Sequence, residues 1–157
     1  MAFRAAIASI GVAGALLACA IPRTFIDPQV QLRAVGVRGL DLTGGTLDLH
    51  LDVYNPNRFD LRGTRIELGF EVDGSHVGDI ALDDDFNVTD GDTTRVVLPL
   101  RFTWTGANAA ARAALNYGEI PYTMMGQVQL DTPIGARVVP FTRSGRAPLT
   151  RGGRSSP

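Results

Sequence analysis

Lysine is missing from this chain altogether. All 15 basic residues are arginine, set against 16 Asp and Glu. The bias fits a GC-rich coding sequence and assigns no function. The signs nearly balance, at a formal net charge of −1, so no field gathers nucleic acid or an anionic membrane. Cysteine is almost as scarce. The one copy, Cys19, excludes an internal disulfide framework. The apolar run near the amino terminus is shorter than the ~20 residues that span a bilayer comfortably. Nothing resembles a strained nucleophile elbow either.

What is present amounts to one domain's worth of chain, 157 residues with 45% hydrophobic and 20% charged side chains. The start, Met1-Ala2-Phe3-Arg4, places one positive charge before an uncharged stretch of small and apolar residues from Ala5 to Ala18. That is the charged and hydrophobic layout of a secretory signal. Leu16-Leu17-Ala18-Cys19 resembles a bacterial lipobox, with Leu17 a less usual occupant of its position. The resemblance implies cleavage before Cys19 and a diacylglycerol thioether on it. Cleavage there removes residues 1–18 as a signal peptide. A plain secretory signal with an incidental cysteine, or an uncleaved anchor helix, is the alternative. Residues 19–29 read as a tether, since Pro22 and Pro28 disfavour helix.

From Val30 onward the apolar residues recur with period two. Leu47, Leu49, Leu51 and Val53 alternate with Asp48, His50 and Asp52, and Ile66, Leu68, Phe70 and Val72 alternate with Glu67, Gly69 and Glu71. Val96, Leu98, Leu100 and Phe102 continue the rhythm, as do Val128 and Leu130. Such alternation marks antiparallel strands with one wet face. Thr43-Gly44-Gly45, Asn55-Pro56-Asn57, Asp73-Gly74-Ser75, Asp90-Gly91-Asp92 and Thr132-Pro133-Ile134-Gly135 break the runs. Asp73-Gly74 predicts a hairpin. Pro99 inside a strand points to an edge or a bulge. Ala107–Tyr117 is dense in helix formers, with Thr105 to cap it and Gly118 to stop it. The expected fold is all-β with one short helix: an antiparallel two-sheet β-sandwich of about seven strands, immunoglobulin or fibronectin III-like. The domain spans 30–145. Residues 146–157, rich in Arg, Gly, Ser and Pro, read as a disordered tail.

The body resembles the WHy (water stress and hypersensitive response) domain of late embryogenesis abundant group 2 proteins. The resemblance rests on an ordered set of features. They are Leu49 to Asn57 ending in Asn55-Pro56-Asn57, then Leu61, the Ile66–Ile80 strand pair and Thr93–Phe102. Gly118-Glu119-Ile120-Pro121-Tyr122, Gly126, the Thr132–Gly135 turn and Pro140-Phe141 complete it. It implies a non-enzymatic role in tolerating desiccation, cold or heat by shielding proteins or membranes. It implies no cofactor. With the lipobox, the expected location is the cell envelope, anchored through Cys19, with Ala20 rather than Asp favouring the periplasmic face of the outer membrane. An envelope module binding a protein or lipid partner is the competing reading, and an enzyme the third.

Asn55-Pro56-Asn57 itself reads as structural. Pro56 fixes φ and both amides can bond nearby backbone, with ligand binding by those amides as the alternative. Other candidate chemistry is thin. Ser75-His76 falls in a hairpin signal. Asp48-His50-Asp52 could ligate a metal, but alternation already explains a solvated face. Asp83-Asp84-Asp85 suggests calcium, yet an EF-hand would need Gly and Glu where Val88 and Thr94 stand. Trp104, Tyr117 and Tyr122 read as packing, and Met124-Met125 as gap-filling.

Overall fold

A computed structural model describes residues 24–103 and 118–151. Cys19 and the signal segment lie outside the described residues, as do the expected helix Ala107–Tyr117 and Trp104. Eight strands follow in order: β1 (Gln29–Leu40), β2 (Gly44–Tyr54), β3 (Leu61–Val72), β4 (Ser75–Leu82), β5 (Phe86–Val88), β6 (Thr93–Thr103), β7 (Glu119–Thr132) and β8 (Gly135–Arg151). No described residue is helical.

Alternation becomes burial directly. Leu49, Leu51, Val53, Phe70, Val72, Leu98 and Leu100 are fully enclosed in a single core, while Asp48, His50 and Asp52 stay partly in water on the other face of β2. Each enclosed leucine or phenylalanine contributes about 1.5–3 kcal/mol relative to exposure. Asp73 and Gly74 both take positive φ, 50° and 72°, the mirror-image turn that suits a two-residue hairpin between twisted strands.

The strands form one sheet in the order β4-β3-β7-β8-β1-β2-β6, with β5 pairing β3 beyond the end of β4. All neighbours are antiparallel except β1 and β8, which run parallel where Val35–Val37 meet Leu149–Arg151. That short ladder joins what would otherwise be two sheets. At the other side β4 comes against β6, so close that a Cβ on Gly78 would sit 2.9 Å from the Arg101 carbonyl oxygen. The result is a nearly closed, barrel-like sheet, which corrects the expected two-sheet sandwich. Period-two burial is common to both architectures, because each hides one face of every strand. Strand pairing alone separates them.

Beyond the parallel ladder, side chains span the β1–β8 seam. The Arg143 Nε donates to the Val30 carbonyl at 3.0 Å. Tyr122 lies across Gly145, stacks on Phe70 at 6.2 Å between centroids and hydrogen-bonds the backbone of Leu32. Burial raises the phenol's pKa.

Two sequence expectations move. β8 continues to Arg151 with Ala147 fully buried, so residues 146–151 are strand rather than tail. The Arg-rich composition concealed an alternation in which Ala147 and Leu149 face inward between Arg146, Pro148 and Thr150. Met125 is 51% exposed, whereas Met124 is core. By contrast, Pro99 lies in β6, which ends the sheet path as the sequence suggests.

Candidate functional site

The Asn55-Pro56-Asn57 tripeptide sits where the chain leaves β2. Asn55 and Asn57 are the buried polar side chains among the described residues, 0% and 3% exposed. Polar groups so enclosed must find partners, since each orphan costs about 1–3 kcal/mol. Theirs are complete. The Asn55 Nδ2 donates to the carbonyls of Phe59 (2.8 Å), Val88 (3.1 Å) and Thr89 (3.3 Å). The Asn55 Oδ1 accepts from the Asn57 N–H and the Asn57 Nδ2, both at 3.0 Å. The Asn57 Nδ2 also donates to the Ile26 carbonyl, and its Oδ1 accepts from the Ile26 N–H, each at 2.7 Å. Backbone bonds from Asn55 to Asp92 and Gly91 finish the knot.

Three segments distant in sequence are thus tied at one end of the barrel: the stretch before β1, the β2–β3 turn and the β5–β6 loop. No amide group is left over to hold a ligand. The local bond, Asn57 N–H to Asn55 Oδ1, is the Asx turn that the residue types suggest. The partners 31 to 34 residues away have no signal in the tripeptide. The arrangement can clamp the chain, and its geometry supplies no acid, base or nucleophile.

Elsewhere Asp48, Asp52, Asp83 and Asp85 are already engaged. On the β2 outer face Asp48 accepts from Arg38 Nε and Asp52 from Arg95 Nε, each at 3.0 Å, with His50 between them. In the acidic loop Asp83 pairs with Arg65 and Asp85 with Arg62. His76 is exposed and lies 3.2 Å from Asp79, three residues on. Among the described residues no group of three or more His, Cys, Asp or Glu is placed to hold a metal.

An open groove of about 670 Å³ crosses the outer face of β3, β4 and β7, its walls including Gly69, Ala81, Asp79 and Met125. Glu67 lines it too, held by Gln127 Nε2 and Arg65 Nε, each at 2.7 Å. Those two hydrogen bonds keep its carboxyl below the ordinary carboxylate range. Beside the groove the Thr123 and Ser144 hydroxyls meet at 3.0 Å across β7 and β8.

The family model described as Late embryogenesis abundant protein matches residues 50–145. The chain belongs to the late embryogenesis abundant family. Among solved structures, a protein from Arabidopsis thaliana studied in solution shares the fold with a TM-score of 0.63 at 17% identity, over 84% of this chain and 87% of its own. A putative late embryogenesis abundant protein, also solved in solution, has a TM-score of 0.51 at 18% identity, over 79% and 72%. A comparison with curated proteins finds no match. This late embryogenesis abundant protein carries Asn55 and Asn57 inside the family match. β1 lies outside it, as do the residues of β8 that pair with β1.

Proposed function

We propose that this late embryogenesis abundant protein is a non-enzymatic stress protectant of the cell envelope, shielding proteins or membrane during water loss. Membership of the family carries the reading. The lipobox-like Leu16-Leu17-Ala18-Cys19 supports an anchor on Cys19. Lipid chains there hold the domain at a membrane, each buried methylene contributing about 0.8 kcal/mol. Ala20 favours the periplasmic face of the outer membrane. The satisfied Asn55–Asn57 knot suits a scaffold that keeps its shape without a ligand.

Two experiments test the parts separately. Drying or heating a labile enzyme with the purified protein should preserve more activity than an equal mass of an inert control, and equal loss counts against protection. Metabolic labelling with palmitate should mark the wild type and not Cys19→Ser. Label retained in the variant removes the anchor.

A further inference from the structure

Of the chain's five asparagines, only Asn87 has a hydroxyl residue two positions on with a residue other than proline between: Asn87-Val88-Thr89. That is the acceptor pattern for N-linked sugar on exported chains. Such a triplet recurs by chance, so its placement decides. β5, Phe86–Val88, is half-buried, exposed and buried in turn. The Phe86 ring occupies the space that a Cβ on Gly63 would need, and Val88 is fully enclosed. Asn87 between them faces out, as strand alternation requires. Asp85 and Thr89, two residues to either side, are exposed as well. β5 pairs with β3 along one side. On its other side the Asn87 carbonyl accepts from the Thr94 Oγ1 at 2.7 Å. Asn55 and Asn57 spend their side-chain amides inside the knot. Among the described residues the Asn87 side-chain amide makes no hydrogen bond, so its nitrogen is available.

We infer that Asn87 is the attachment site of an N-linked glycan, added by an exported oligosaccharyltransferase; the inference rests on the export part of the reading above. The donor is an oligosaccharide on a polyprenyl pyrophosphate. The Asn87 Nδ2 bonds to the anomeric carbon of the first sugar, and that carbon's bond to the pyrophosphate oxygen breaks. The polyprenyl pyrophosphate leaves with the proton that the amide gives up. Thr89 supplies the hydroxyl that the enzyme recognises. Asp85 pairs with Arg62, but both side chains are more than half exposed. Such a surface pair holds weakly, so Asp85 can turn to a cationic group of the enzyme. In the finished fold the carbonyls of Val88 and Thr89 are held by Asn55. The segment therefore meets the enzyme as the chain emerges from export, ahead of folding. The fold then leaves the sugar in solvent, where it shields a three-residue edge strand from pairing with other chains.

The test is mass spectrometry of the protein isolated from the envelope of its own cells. Trypsin releases Asn87 in the peptide Ile66–Arg95. The expected result is that peptide heavier by one oligosaccharide, with the sugar on Asn87. Asn87→Gln and Thr89→Ala should abolish the added mass, Thr89→Ser should keep it, and Asp85→Ala should lower occupancy several-fold. All three positions are exposed, and circular dichroism melts check that the variants fold. Where one does not, site mapping in the wild type decides. An unmodified peptide from envelope-located protein overturns the inference, as does sugar retained in Thr89→Ala. Protein found only in the cytosol sinks the export reading instead. The site is then judged by diluting the purified full chain from urea into a membrane-embedded bacterial oligosaccharyltransferase with its lipid-linked donor. Addition at Asn87 upholds the site. No addition, while a control acceptor peptide is glycosylated, overturns it.

Discussion

The Asn57 side chain pairs with both backbone groups of Ile26, accepting from its N–H and donating to its carbonyl, each at 2.7 Å. One amide side chain thereby takes the place of a neighbouring strand for the segment that enters the barrel. Asn55, behind it, is wholly buried and binds three carbonyls. The two residues differ in what their loss exposes.

Asn55→Ala should therefore destabilise by about 3 kcal/mol, because buried carbonyls lose their donors. Asn57→Ala should cost less, about 1–2 kcal/mol, since Ile26 is half exposed and water can replace the amide. Asn55→Asp should be at least as damaging as alanine, as it buries a carboxylate facing carbonyl oxygens. Urea unfolding at neutral pH measures all three. An Asn57→Ala loss larger than that of Asn55→Ala would contradict the assignment.

Tyr122 gives a pH dependence. Its folded pKa is raised, with burial the largest cause. The neutral phenol is favoured in the fold, so its contribution is complete below the unfolded value near 10. It is lost as pH rises through the folded value. Melting temperatures from pH 8 to 11 should fall less steeply for Tyr122→Phe than for the wild type, once its lower starting stability is allowed for.

Gly126 lies where β3 and β7 approach closely. A Cβ there would sit 2.1 Å from the Glu67 carbonyl oxygen, an atom that cannot move without breaking the ladder. Gly126→Ala should cost about 1–3 kcal/mol from overpacking. Gly39→Ala, with open space around it, should be neutral within about 0.5 kcal/mol. Thermal melts of the pair provide the comparison.

Pro99 protects an edge. The Arg101 carbonyl points at β4, and residues two apart on a strand point the same way, so the Pro99 nitrogen faces the unpaired side of β6. A residue with an N–H there completes a donor row. Pro99→Val should raise concentration-dependent association, visible by light scattering, with little change in far-ultraviolet circular dichroism.

Legibility in the sequence followed the range of each interaction. Strand faces and the Asp73–Gly74 turn depend on neighbours within a few residues, and they could be read there. The alternation of Ala147 and Leu149 was equally local, yet arginine and proline around it outweighed two apolar residues. The exposure of Met125 could not be read from a methionine pair. It depends on which of two adjacent side chains the register with Phe70 and Thr142 turns outward.

The amino-acid sequence by itself determined that this protein is built of strands hiding one face each, and that an Asx turn follows β2. It also carries the family's ordered features. The tertiary structure alone decided that β1 and β8 pair in parallel and join the strands into one nearly closed, barrel-like sheet. It also decided that the Asn55 and Asn57 side chains bond partners up to 34 residues away. The physical reason is that alternation specifies only which face of a strand is buried. Which strand lies beside which is settled by backbone hydrogen bonds between residues far apart in the chain, and any residue except proline can make them.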